Sequence, residues 1–71
     1  MSVESLGLQE QTEQFQRDML AEALAKCLSS QRALFHERVY PNGVPADKLT
    51  VAYDLVARTL RQNEKLGRKE P

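Results

Sequence analysis

Apolar residues recur along this chain at intervals of three and four, with no run of strict alternation, so the pattern predicts helices and no strand. Between Gln9 and Val39 there is no proline or glycine, and good helix formers dominate. That stretch predicts one long helix over about residues 8–39. Its start falls between Ser5 and Thr12, both capping residue types, because Gly7 inside a helix costs about 1 kcal/mol relative to alanine. The segment Tyr40-Pro41-Asn42-Gly43-Val44-Pro45 then forces a turn: Pro41 disfavours helical geometry at Tyr40, and Asn42-Gly43 readily supplies positive φ. A second helix is predicted over about residues 47–66, with the Asp47 carboxylate capping its start and Gly67 stopping it. Residues 1–7 and 67–71 are expected to be loose.

The second helix carries an apolar stripe at Leu49, Ala52, Tyr53, Val56, Leu60 and Leu66, interrupted by Asn63. On the first, Leu20, Leu24, Cys27, Leu28, Leu34 and Phe35 form the matching stripe, interrupted by Gln31. Two helices joined by so short a loop pack antiparallel. Setting Asp47 opposite Val39 puts Leu66 near Leu20. Charge supports the same register, since residues 1–25 hold Glu4, Glu10, Glu13, Asp18 and Glu22 against Arg17 alone, and residues 58–69 hold five basic residues against Glu64 alone. The fold class expected is therefore all-α: an antiparallel two-helix hairpin with a long first helix.

Length decides what such a hairpin lacks. A chain of 71 residues is at most one domain, and one this short buries only about 60% of its unfolded surface. The lone Cys27 offers no intramolecular staple and suggests a reducing compartment. Completion by dimerisation or by a partner chain, as a helical bundle, is the expectation.

The surfaces left over point the same way. Everything before about Arg17 overhangs the shorter second helix, carrying Leu8 and Phe15. With Met19 and Ala23 these form a stripe rotated away from the face of Leu20 and Leu24. A helix apolar over more than about 100° of its circumference has more than one partner. Val51 and Leu55 add a second patch on the far side of the second helix. The candidate partner-binding set is Leu8, Phe15, Met19, Leu20, Leu24, Val51 and Leu55. The competing arrangement breaks the first helix near Gln16 and folds residues 1–17 back as a third short helix over Phe15 and Met19.

Charge enters only locally, because ten basic residues balance ten acidic ones. Arg58, Arg61, Lys65 and Arg68, spaced three, four and three, make a basic stripe that defines the alternative function, RNA or DNA binding by a helical-hairpin dimer. Asp54, Glu64 and the lack of an interleaved exposed aromatic favour a solvated face instead. Catalysis is not expected. Cys27 and His36 fall on opposite sides of one helix, the carboxylates are diluted by glutamine, and Gly7, Gly43 and Gly67 are scattered. No metal, cofactor or small-molecule substrate is expected. The start Met-Ser-Val-Glu-Ser has no basic n-region, and no apolar run approaches the roughly 18 residues of a membrane span, so a cytoplasmic location without membrane contact is expected.

In its two-helix plan and in the stretch Ala21-Glu22-Ala23-Leu24-Ala25-Lys26-Cys27-Leu28 the chain resembles the small helical-hairpin co-chaperones of type III secretion needle subunits. It is also similar in outline to the RNA-binding dimeric hairpins of plasmid copy control, with a longer loop and no identifiable RNA-facing aromatic. The first resemblance implies a larger helical protein partner. Neither assigns a functional residue. The function expected is a small protein-binding module of adaptor, co-chaperone or inhibitor type that associates through apolar helix faces.

Overall fold

The computed structural model describes residues 3–69, with side chains from Gly7 onward. Most of those residues are helical, with no strand among them. Helix α1 spans Val3–Lys26, α2 spans Ser29–Leu34 and runs on into a widened π turn over Phe35–Val39. A 3₁₀ turn at Ala46–Lys48 leads into α3, Leu49–Leu66.

The expected long first helix over residues 8–39 is thus two helices, and the break has an identifiable cause. Cys27 closes a tight turn by donating its N–H to the Leu24 carbonyl (3.1 Å), and Leu28 leaves helical geometry at φ −65°, ψ 150°. Two side chains then take over the backbone groups that the break exposes. The Gln31 Oε1 accepts the Leu28 N–H at 3.0 Å, opening α2. The Arg32 guanidinium donates to the carbonyls of Cys27 (2.7 Å) and Ala25 (3.2 Å), closing α1. Unsatisfied terminal groups make a helix end costly, and cations favour a helix C-terminus, so Gln31 and Arg32 together hold both new ends.

The break lets the chain fold back on itself. Phe35, 5% exposed, comes to rest by Leu20 and Leu24, while the Arg17 guanidinium donates to the Val44 carbonyl at 3.0 Å. Tyr40 stacks obliquely on Phe35, with ring centroids 5.2 Å apart, and Gly43 turns the chain at φ +85°. From that level α3 climbs alongside α1: Leu49 shares a groove with Met19, and Val56 shares one with Leu24 and Cys27.

The helices α1 and α3 therefore run in the same direction, with α2 as the antiparallel return. This reverses the expected register: Leu66 is not beside Leu20, and Asp47 lies at the end of the molecule where α1 passes Gln16, not opposite Val39. It also removes the charge pairing expected between the helices. The ion pairs among the described residues, Arg17 with Glu13 (2.9 Å) and Arg58 with Asp54 (3.3 Å), each lie within one helix. What the charge asymmetry does complement is the shared direction, since Lys26 and Lys65 sit in the last turns of α1 and α3, where the two negative dipole ends lie.

The core is one cluster: Leu20, Ala23, Leu24 and Cys27 from α1, Phe35 after α2, and Leu49, Ala52 and Val56 from α3. The two polar interruptions of the apolar stripes meet beside it. Gln31 and Asn63 exchange both amide hydrogen bonds, at 3.0 and 2.8 Å, and Asn63 is buried. At the start of α3, Asp47 makes no cap. It lies within the 3₁₀ turn, where the Lys48 N–H bonds to the Pro45 carbonyl at 2.9 Å, and Lys48 stands at the N-cap without a side-chain bond. The stop at Gly67 is as expected: it adopts φ +68°, and the N–H groups of Gly67 and Arg68 close on the carbonyls of Glu64 and Asn63.

Candidate functional site

The expected apolar surface exists in two separated parts, on either flank of α3. On one flank Phe15, 63% exposed, and half-buried Met19 line a groove of about 370 Å³ with Thr12, Gln16, Leu49, Thr50 and Tyr53. The same stripe of α1 continues outward to Leu8, 64% exposed. Helix α1 passes unbroken through Gln16, so residues 3–17 do not fold back over Phe15 as a third helix. Residues 3–12 extend beyond the start of α3, and the overhang expected from the sequence is present although the register that suggested it is not.

On the other flank Leu55 lines a second groove, of about 280 Å³, with Leu34, Val39, Thr59 and the edges of the core. Val51 is exposed one turn before it. Leu20 and Leu24 belong to neither surface. Both are core residues, 5% and 7% exposed, and are not available to a partner. Conversely, Leu34, Tyr53 and Leu66, assigned by spacing to the interior stripes, are exposed. For Leu34 the reason is the break at Leu28, which re-aims every side chain of α2. For Tyr53 and Leu66 it is the parallel placement of α3, which carries the seam along Leu49, Ala52, Val56 and Asn63 instead.

The basic stripe lies opposite that seam. Arg58 pairs with Asp54, both side chains more than half exposed, while Arg61, Lys65 and Arg68 are exposed with no ion pair among the described residues. No three His, Cys, Asp or Glu side chains among the described residues gather as a metal site requires. Cys27 is buried, with its thiol 3.6 Å from the Ala23 carbonyl; burial pushes its pKa up, partly opposed by the charge of Arg32. His36 is exposed and meets the Phe35 ring edge-on at 5.5 Å.

No helix of the described residues is long and apolar enough to cross a membrane. Comparison with protein-family models, with curated proteins and with solved structures returns no match for this chain.

Proposed function

We propose that this chain is a protein-binding module that docks through the flank of α1 carrying Leu8, Phe15 and Met19. The observation that supports this reading best is Phe15: a large aromatic, 63% exposed, at the rim of the groove between α1 and α3. Burying such a ring recovers several times the free energy of burying an alanine, and aromatic side chains are enriched among the residues that dominate protein interfaces. Met19 and Tyr53 beside it give the adaptable and amphipathic contacts such an anchor uses. Placing a photoreactive benzoylphenylalanine at position 15, with position 48 as control, tests the reading in the native cell. Cross-links to protein at 15 and none at 48 are expected; the absence of any protein adduct at 15 would overturn it.

Nucleic-acid binding through Arg58, Arg61, Lys65 and Arg68 is the second reading, favoured by the exposure of three of these side chains without an acidic partner among the described residues. It requires an affinity for RNA or DNA that falls steeply as salt rises and disappears when Arg61, Lys65 and Arg68 are changed to Gln.

A further inference from the structure

We infer that the occupant of the Phe15 flank is a second copy of this chain, its α1 lying antiparallel along α1 of the first, across a two-fold axis that passes between Glu13 and Gln14. The inference rests on the protein-binding reading above and names its partner.

A two-fold axis that reverses helix direction sets each helix against its own copy, so the surface it joins must read the same from either end. The stripe on α1 does. Leu8, Thr12, Phe15 and Met19 follow in steps of four, three and four, a palindrome with the spacing of an interhelical seam. Turned end for end about its midpoint, it sets Leu8 against the second copy's Met19 and Phe15 against the second copy's Thr12. Both matches join unlike shapes: the ring meets a small side chain, and branched Leu8 meets a flexible thioether. Laid parallel, the same stripe stacks Phe15 on Phe15 and Thr12 on Thr12, which crowds one layer and leaves a gap in the next. The parallel pair also sets two positive helix ends side by side. The positions flanking the antiparallel seam agree with it. Gln9 comes beside the second copy's Gln16, and Gln11 beside the second copy's Asp18, so no like charges meet in these pairs.

The same axis fills the groove. The stripe borders the channel of about 370 Å³ between α1 and α3, whose far wall is Leu49, Thr50 and Tyr53. Leu8 stands about 16 Å along α1 from Met19, on the segment that extends beyond the start of α3. The axis carries each Leu8 to the level of the second copy's Met19 and Tyr53, at the mouth of that channel. Each overhang therefore runs antiparallel to both α1 and α3 of the other copy, along the channel they leave between them. Because α3 starts beside Met19 and runs away from the axis, the two α3 helices diverge and do not compete for this space. Projection and channel lie on one chain, and one axis satisfies both.

The free surface is large enough for such a contact. The chain exposes 5677 Å², whereas a compact folded chain of 8.1 kDa exposes about 4,500 Å². The excess, roughly 1,200 Å², is more than the roughly 800 Å² that each partner hides in an ordinary stable interface.

Light scattering on the full chain tests the pairing. A mass twice 8.1 kDa is expected. Phe15→Asp in the stripe and Thr50→Arg in the channel wall should each weaken dimerisation at least tenfold, with helical circular dichroism retained because both residues are exposed. Orientation is read by placing benzoylphenylalanine at position 8 and mapping its adduct by mass spectrometry. Attachment to the second copy's Met19 or Tyr53 is expected, whereas attachment at or next to the second copy's Leu8 means parallel helices and overturns the inference. A native chain that stays monomeric at several hundred micromolar also overturns it, as does a dimer indifferent to Phe15→Asp and Thr50→Arg. Monomeric behaviour together with cross-linking of a different protein at position 15 removes the second copy alone and leaves the protein-binding reading. No adduct of any kind at position 15 removes both.

Discussion

The two halves of α1 make an instructive pair. Residues 17–26 and 3–16 belong to one uninterrupted helix, the first with six apolar side chains in ten and the second with four in fourteen, and Leu20 and Leu24 are buried while Leu8 and Phe15 lie in water. Composition is only part of the difference. The rest arises where the chain returns: the Val44 carbonyl is fastened to Arg17 and α3 starts beside Met19, whereas residues 8–16 meet the start of α3 and the turn before it along their flanks alone. One helix thus gives a core in one half and an exposed surface in the other, and the two halves should respond oppositely to substitution.

The largest effect is expected in the inner half and its counterpart. Leu49, 1% exposed, packs against that half, and Leu49→Ala should cost about 2–5 kcal/mol, enough to leave much of so small a chain unfolded. Urea unfolding followed by circular dichroism measures it, and a loss under 1 kcal/mol would mean the core does not close there. Next comes the amide pair. Asn63→Ala leaves the Gln31 amide without its buried partner and should cost about 1–3 kcal/mol, and Gln31→Leu combined with Asn63→Leu should restore only part of that, because it also removes the acceptor of the Leu28 N–H. A loss under about 0.5 kcal/mol in Asn63→Ala would mean that the pair does not lock the fold.

Of this architecture, the helical content, the turn at residues 40–45, the stop at Gly67 and the exposure of Leu8 and Phe15 were legible in the sequence. The break was not, because Leu28 continues the apolar stripe of a straight helix without a gap. A weaker signal was present: Ser29 and Ser30 are poor in a helix interior and favoured near its start, and Gln31 stands three residues after Leu28, where a side chain can reach back to the N-terminal amide. Once the break is missed, a short loop implies an antiparallel hairpin and the register follows wrongly. Gln31 and Asn63 then look like two separate flaws, when each is the other's partner.

Smaller effects separate the halves further. Arg32→Ala removes the donors from the last carbonyls of α1 and should cost about 1 kcal/mol, while Arg32→Lys recovers only part of it. The buried thiol gives a pH test. Because burial raises the Cys27 pKa above its ordinary 9.0, the neutral thiol contributes stability that is complete below that pH and declines as pH rises above it. The native chain should therefore lose more stability than Cys27→Ala between pH 8 and pH 10, a range set by the direction of that shift; parallel curves would contradict it. The smallest effect belongs to the outer half. Phe15→Ser should change the unfolding free energy of the isolated chain by under about 0.5 kcal/mol, although the same residue is the anchor proposed for association. A large loss at low concentration would show that the outer half is folded into the body after all.

The parallel placement of α3 also fixes when the molecule can acquire its structure during synthesis. Leu49, Ala52 and Val56 supply one side of the core, and the amide lock joins positions 32 residues apart. An emerging chain that has released only α1 and α2 therefore has half of an interior and nothing to close it. Sequence-distant contacts of this kind slow folding and prolong the exposure of apolar segments. A chain that ends before α3 therefore lacks one side of the core and the partner of Gln31, and it should not adopt a smaller version of the fold.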